Sequence, residues 1–297
     1  MTTLSGMTIG FIGLGLMGKP LCRNLMRAGA KLIVTNRSEG PRIELQREGA
    51  IALETPAAVA EQAEMVIIMV ADTRAVEAVL TGPDGVFEQL RENSLVIDMG
   101  TTLMTKTRAF ADMAGHKGGL YLDAPVSGGT IGAEAGTLTI MAGGSDVAFQ
   151  RALPVLEILG GTVTHVGAVG AGQVAKAANQ VIVGLTIGAV AEALALAKAA
   201  GVDPGKVREA LRGGFADSRI LEIHGERMVT DDYRLGARST TQRKDMDQAL
   251  YLASKLGLDL PATRLSRTLY DQLIESGGAD LDHAALFTIL EKKENSH

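Results

Sequence analysis

One lysine set in an apolar run carries the clearest chemical signal in this 297-residue chain. Lys176 stands in QVAKAANQ, among alanines and amides, with no carboxylate beside it. A buried ammonium is costly unless it has a partner or a task. The lysine falls near the start of a helical pattern, where the positive end of the helix dipole opposes a cation. Burial and that dipole both lower an amine's pKa toward the range useful for proton transfer. The plain alternative is a lysine that snorkels to the surface. Asn179 lies three residues on, so a helix puts both on one face. Upstream, DAPVSGG places Ser127, Gly128 and Gly129 after a strand-like run. Successive backbone N–H groups in such a turn form an anion-binding hollow, and glycine permits close approach. A small carboxylate would fit there, with the Ser127 hydroxyl as a further donor. A turn that merely ends a strand explains the glycines equally well.

A second constellation opens the chain. Gly13-Leu14-Gly15-Leu16-Met17-Gly18 fits G-x-G-x-x-G between a short apolar run at 9–12 and a helical pattern. In that context the first glycine permits a sharp turn, the second lets the backbone approach a pyrophosphate, and the third packs helix on strand. The helix N-terminus then offers free N–H groups to phosphate. The next strand-like run ends in Asn36, Arg37 and Ser38. An NAD site would place a carboxylate near here for the ribose hydroxyls. None is present, and Arg37 can pair with a 2′-phosphate. NADP(H) is therefore the preferred cofactor, with NAD(H) possible. Val70 and Ala71 in MVADTRAV, and Thr102 in MGTT, follow further strand-like runs. In an open α/β sheet ligands lie beyond the carboxyl ends of strands, so these three are expected at the cofactor.

The elements that must position these residues are legible in outline. TIGFIG, KLIVTN, MVIIMV and LVIDMG are short apolar runs of the kind buried on both faces of a parallel sheet. Helical patterns at 17–28, 39–48, 56–63 and 74–80 separate them, which predicts a parallel sheet with helices on both faces. LYLDAPV, GTLTIMAGG and GTVTHVG continue the strand signal. From Gln173 to Ala200 the chain is Ala-rich and apolar almost all round, which predicts a buried helix joining two domains. Asn179, Gln180 and Glu192 interrupt it, so a membrane span is not expected. Helices follow at about 217–229, 240–256, 261–276 and 282–293. The expected domains are 1–165, a Rossmann dinucleotide-binding domain, and 166–297, an all-α substrate and oligomerisation domain.

Composition limits the function classes. The chain is 46% hydrophobic and 21% charged, with a net charge of −5. No basic run serves as a nucleic-acid or membrane footprint. Cys22 is the only cysteine, so an intrachain disulfide is excluded, and a reducing, cytoplasmic compartment is expected. Inside a helical pattern, Cys22 reads as a packing residue. The N-terminus carries no signal-peptide pattern. The histidines at 116, 165, 224, 283 and 297 show no spacing that suits a metal, so no metal is expected.

FIGLGLMGKP, DAPVSGG, GAVGAGQVAKAANQ at 167–180 and RKDMDQAL at 243–250, in that order, resemble the β-hydroxyacid dehydrogenase family across nearly the whole chain. LRGGFADSRIL at 211–221 and DHAAL at 282–286 are similar to its tartronate semialdehyde reductase branch. The resemblance implies hydride transfer between a nicotinamide and a small 3-hydroxy or 3-oxo acid. The leading substrate it implies is tartronate semialdehyde (2-hydroxy-3-oxopropionate), reduced to D-glycerate. Oxidoreduction of 3-hydroxyisobutyrate or of succinic or glyoxylic semialdehyde is the alternative. Imine reduction and cofactor binding without catalysis are the rivals. The family's catalytic lysine falls on Lys176, its substrate-orienting asparagine on Asn179, and its Lys-Asp pair on Lys244 and Asp245. Lys244 is implied to lie close to nicotinamide and substrate, in a cleft between the domains. A homodimer or homotetramer is also implied.

Overall fold

In the computed structural model, residues 3–291 are described; His297 and the last two positions of the helix expected over 282–293 lie outside them. The chain divides into two compact units, Met1–Lys176 and Ala177–His297. The division falls inside the long helix, between Lys176 and its neighbour, where the sequence pattern suggested 165/166.

The first unit is built on a sheet that starts with β1 (Thr8–Ile12), β2 (Lys31–Thr35), β3 (Ile51–Ala52), β4 (Met65–Ile68), β5 (Leu95–Asp98) and β6 (Leu120–Asp123). Their order across the sheet is β3-β2-β1-β4-β5-β6, all parallel, with Ile9 opposite Leu32 on one side and Met65 on the other. The helices α1 (Gly18–Arg27), α2 (Glu39–Arg47), α3 (Pro56–Gln62), α4 (Thr73–Thr81) and α5 (Met104–His116) connect them. Successive side chains of a strand point to opposite faces. Ile9 and Phe11 of β1 therefore enter one core with Leu21, Leu25 and Leu32, while Ile12 enters the other with Val59, Val66 and Ile68. Close packing is needed at Gly10, where a Cβ would lie 2.5 Å from Val59 Cγ1.

The sheet is not parallel throughout. LYLDAPV, one strand in the sequence pattern, breaks at Ala124-Pro125 into β6 and a two-residue β7 (Val126–Ser127). After α6 (Gly129–Ala135), β8 (Leu138–Gly143) runs antiparallel to both, and β9 (Gly160–Gly167), beyond α7 (Asp146–Leu159), pairs parallel with β8. A proline cannot donate to a ladder, so the break falls where the sequence places Pro125.

The second unit is helical: α8 (Ala171–Ala199), which begins in the first unit, then α9 (Pro204–Leu211), α10 (Arg219–Val229), α11 (Ser239–Lys255) and α12 (Pro261–Leu273). Ile187, Val190, Ala191 and Leu194 of α8 form one apolar stripe and join Leu221, Met246, Tyr270 and Leu286 in its core. Among the described residues α8 alone is long and apolar enough to cross a membrane by length and composition. It is not buried all round, contrary to the sequence reading: Ile182 is 65% exposed and Leu196 73%. Alanine makes every face of this helix read as apolar, although only the stripe of larger side chains meets the core.

Candidate active site

The glycine loop between β1 and α1 takes the shape its sequence requires. Gly13 has φ +103°, and a Cβ there would lie 2.2 Å from the Met69 carbonyl oxygen. A Cβ on Gly18 would lie 1.9 Å from the Gly13 carbonyl oxygen, so the helix start can rest on the loop only without a side chain. A Cβ on Gly15 would meet nothing within 4 Å. That open side, with the Leu16 and Met17 amides donating to no acceptor among the described residues, suits a pyrophosphate. Leu14 belongs to the core by its side chain, and its amide donates to Asn36 Oδ1 at 3.0 Å. Asn36 Nδ2 donates in turn to the Ser38 carbonyl at 3.0 Å. Asn36 is thus a clamp on the loop. Arg37 and Ser38 are exposed, with no side-chain hydrogen bond or ion pair among the described residues, at the start of α2. Val70 is half-buried and Ala71 exposed beyond β4. Thr102 is 2% exposed; its hydroxyl donates to Asp98 Oδ2 at 2.6 Å and its amide to Gln173 Oε1 at 3.0 Å. It stands inside a buried network, with little surface of its own. The glycine loop and its open amides fit a nicotinamide dinucleotide.

That network explains where Lys176 stands. Asp98 and Asp123 end β5 and β6 and are fully buried. Asp123 accepts the Gly170 amide at 2.7 Å and the Gln173 amide at 2.9 Å, so a carboxylate from a distant strand caps the first turn of α8. The Gln173 side chain reaches the other way, donating from Nε2 to the Gly100 carbonyl at 2.9 Å. A Cβ on Gly172 would lie 2.3 Å from the Met141 carbonyl oxygen, so the helix start presses on β8. Burial pushes Asp98 up to about 6, against the Thr102 hydroxyl and Gly100 amide that favour its ionised form; the Asp123 carboxylate adds to the rise. Burial likewise pushes Asp123 up to about 6, opposed by the Gly170 and Gln173 amides. The sequence reading quoted LVIDMG and DAPVSGG without giving these aspartates a role. The available signal was an acid closing an otherwise apolar strand.

One turn further along α8, Lys176 is 7% exposed, and its Nζ donates to the Val126 carbonyl at 2.8 Å. Val126 directly precedes the Ser127-Gly128-Gly129 turn, so the amine and the turn share one strand end. Gly128 has φ +131° and Gly129 φ +59°, both unsuited to other residues, and a Cβ on Gly129 would meet nothing within 4 Å. Ser127 pairs with Thr139 of β8, which anchors the turn to the sheet.

The second unit holds the remaining residues. Asn179 Nδ2 donates to Gln180 Oε1 at 2.8 Å. Gln180 Nε2 donates to Asp245 Oδ2 at 2.6 Å and to Gln242 Oε1 at 3.1 Å. Lys244 Nζ pairs with Asp245 Oδ1 at 3.0 Å. Gln180 was expected only as a polar break in the apolar run and Gln242 had no expected role, because nothing in their spacing joins α8 to α11. The fold also corrects the view of the histidines as scattered. His224 and His283 meet at 3.3 Å between their Nε2 atoms, and His224 Nδ1 lies 3.6 Å from Asp282 Oδ1. The three offer ligand atoms within 4.8 Å of one another, a grouping that residues 59 positions apart could not announce. Asp282 is already engaged by Arg227 and by the Gly236, Ala237 and Ala284 amides. Burial alone would raise Asp282, but His224, His283 and those amides hold it far below the usual carboxylate range. Cys22 is buried, and burial pushes its thiol up, as fits a packing residue.

Comparison with known proteins gives the family. Residues 8–167 match the model of the NAD binding domain of 6-phosphogluconate dehydrogenase. Residues 170–290 match that of the NAD-binding region of NADP-dependent 3-hydroxyisobutyrate dehydrogenase. The chain is 47% identical over 290 residues to 2-hydroxy-3-oxopropionate reductase of Escherichia coli K12, covering 97% of this chain and 99% of that protein. It is similar to the structure of Mycobacterium tuberculosis 3-hydroxyisobutyrate dehydrogenase with L-serine (TM-score 0.87, 30% identity, 96% of this chain and 99% of that one). It is also similar to Psf3 in complex with NADP+ and 2-OPP (TM-score 0.87, 25% identity, 95% and 100% covered). The dinucleotide loop, the lysine at the strand end and these matches make the chain a member of the β-hydroxyacid dehydrogenase family and an NAD(P)-dependent oxidoreductase.

Proposed function

We propose that the chain reduces 2-hydroxy-3-oxopropionate to glycerate with NADPH. The observation that carries this reading is the bond from Lys176 Nζ to the Val126 carbonyl at 2.8 Å, which brings a buried amine to the Ser127-Gly128-Gly129 turn. The turn suits the substrate carboxylate, received by the Gly128 and Gly129 amides and the Ser127 hydroxyl. The bound nicotinamide supplies the hydride. Lys176 donates a hydrogen bond to the aldehyde oxygen as negative charge gathers there, and then transfers a proton from Nζ to it. In oxidation the neutral amine takes that proton back. Asn179 and Lys244 orient the substrate, and Lys244 also borders the cofactor. Gly13, Gly15 and Gly18 with the Leu16 and Met17 amides hold the pyrophosphate, Val70 and Ala71 border the cofactor, Thr102 supports the site from within its buried network, and Arg37 and Ser38 receive a 2′-phosphate.

The choice of substrate is supported by the 47% identity to the Escherichia coli reductase. The choice of NADP(H) is supported by Arg37, by the lack of a carboxylate at Asn36, and by the NADP+ bound in Psf3. A homo-oligomer associated through the helical unit is supported by the exposed Ile182 and Leu196.

The test is a panel of small aldehydes with NADPH and of hydroxy acids with NADP+, read by nicotinamide absorbance and run beside Lys176→Ala. We expect 2-hydroxy-3-oxopropionate to give the highest kcat/KM. Lys176→Ala should lose roughly 10²–10⁴-fold in kcat while still binding NADPH. A folded Lys176→Ala protein with near-normal turnover would remove the proposed proton donor. Preference for another acid would remove the proposed substrate.

A further inference from the structure

We propose that Asp245 is a positioning residue that sets, through Gln180, which end of the Asn179 carboxamide is presented to the substrate. It thereby favours substrates with a hydroxyl beside the reacting carbonyl. This rests on the hydroxy-acid reading above.

A carboxamide is nearly symmetric in shape, so its neighbours must decide its polarity. Here they leave little choice. The Asp245 carboxylate, paired with Lys244, can only accept, so Gln180 must turn Nε2 toward it, as it does at 2.6 Å. The other Nε2 hydrogen goes to Gln242 Oε1 at 3.1 Å. Gln242 is itself oriented, because its Nε2 donates to the Gln180 backbone carbonyl at 3.1 Å, another group that can only accept. Two separate anchors therefore hold Gln180 Oε1 on the side of Asn179. Only the Nδ2 end of Asn179 can meet that oxygen, and it does so at 2.8 Å. Gln180, Gln242 and Asp245 are all buried, and a reversed amide there would set like groups against each other at full desolvation cost.

The consequence lies at Asn179 Oδ1, which is left as the outward acceptor. An acceptor pairs with a substrate O–H and gains nothing from a carbonyl oxygen. The 2-hydroxyl of 2-hydroxy-3-oxopropionate offers such a donor, and 3-oxopropionate lacks it.

The experiment compares kcat/KM for these two aldehydes with NADPH. The unaltered protein should prefer the hydroxylated one roughly tenfold, the value of one well-placed hydrogen bond. Asp245→Asn gives that anchor a donor as well, leaves Gln242 as the remaining anchor on Gln180, and should lower the ratio in part. Gln180→Met breaks the whole relay while leaving the Lys244–Asp245 pair in place, and should bring the ratio near one; it decides alone if Asp245→Asn does not fold. Asp245→Glu, still acceptor-only, should keep most of the preference. An unchanged ratio in Gln180→Met, or an equal loss on both aldehydes, would overturn the proposal. Failure of the unaltered protein to reduce either aldehyde would overturn the hydroxy-acid reading, and this inference with it.

Discussion

Lys176 and Arg37 show two ways in which a cation is used in this chain. Lys176 is enclosed, and its Nζ is held by the Val126 carbonyl, so its geometry is fixed before any substrate arrives. Arg37 is exposed with no partner among the described residues, which leaves its guanidinium open to the 2′-phosphate proposed above. A charge-assisted bond to phosphate contributes about 1.5–3 kcal/mol, or roughly 10–100-fold in affinity. Arg37→Ala should therefore raise the Kd for NADPH by about that factor and leave NADH nearly unaltered, as nucleotide titration by fluorescence would register. Equal losses for both nucleotides would remove the 2′-phosphate assignment. Residues of both kinds were legible in the sequence because each breaks a local expectation: a cation among alanines, and a missing carboxylate after the second strand. Gln180 only interrupts an apolar run, and Gln242 breaks no expectation at all. Their significance comes from a contact between helices 62 residues apart in sequence, which no local pattern encodes.

At the scale of elements, the ends of β5 and β6 hold the first turn of α8. Asp98 and Asp123 do this at an electrostatic cost, since burial pushes each from 3.8 up to about 6. A carboxyl that binds its proton more tightly when folded adds stability that is fully present below about pH 4. That stability is lost as pH rises through about 6. Each contributes on the order of 1–3 kcal/mol across that window. Asp98→Asn keeps the shape, and the Thr102 and Tyr121 hydroxyls can reverse toward an amide. On going from pH 4.5 to pH 7.5, its melting temperature should gain on that of the unaltered protein. Parallel curves would show that Asp98 does not titrate in this window. β3 is only two residues long and left no run to read, whereas the parallel strands β1, β2, β4, β5 and β6 were readable from their apolar runs, and the glycine loop from its spacing. The antiparallel turn of β7 and β8 was not, because an apolar run gives no strand direction. The tertiary cap on α8 was equally hidden, since its carboxylate lies 47 residues before the amide it receives.

At the scale of the molecule, the long helix has two kinds of apolar surface. The stripe of Ile187, Val190, Ala191 and Leu194 is consumed by the core of the second unit, whereas Ile182 and Leu196 are left exposed. Large apolar side chains in water favour association between copies. Light scattering after gel filtration should give a multiple of the chain mass, and Ile182→Asp with Leu196→Asp should lower it. A native protein of single-chain mass would remove the proposed oligomer. The Ala-rich sequence concealed this distinction, since small side chains make all faces of a helix equally apolar in pattern.

The division of the chain between Lys176 and Ala177 has a consequence for how such an enzyme diversifies. Nζ is tethered by Val126, and its helical turn by Asp123 and Gln173, all on the nucleotide-binding side of that seam. Asn179 and its polar supports belong wholly to the other side. Grafting a relative's distal module at this joint would exchange the supports of Asn179 while Lys176 and the Ser127-Gly128-Gly129 turn stayed where they were. The proposed proton donor and the asparagine proposed to orient the substrate are thus parted within one turn of a continuous helix.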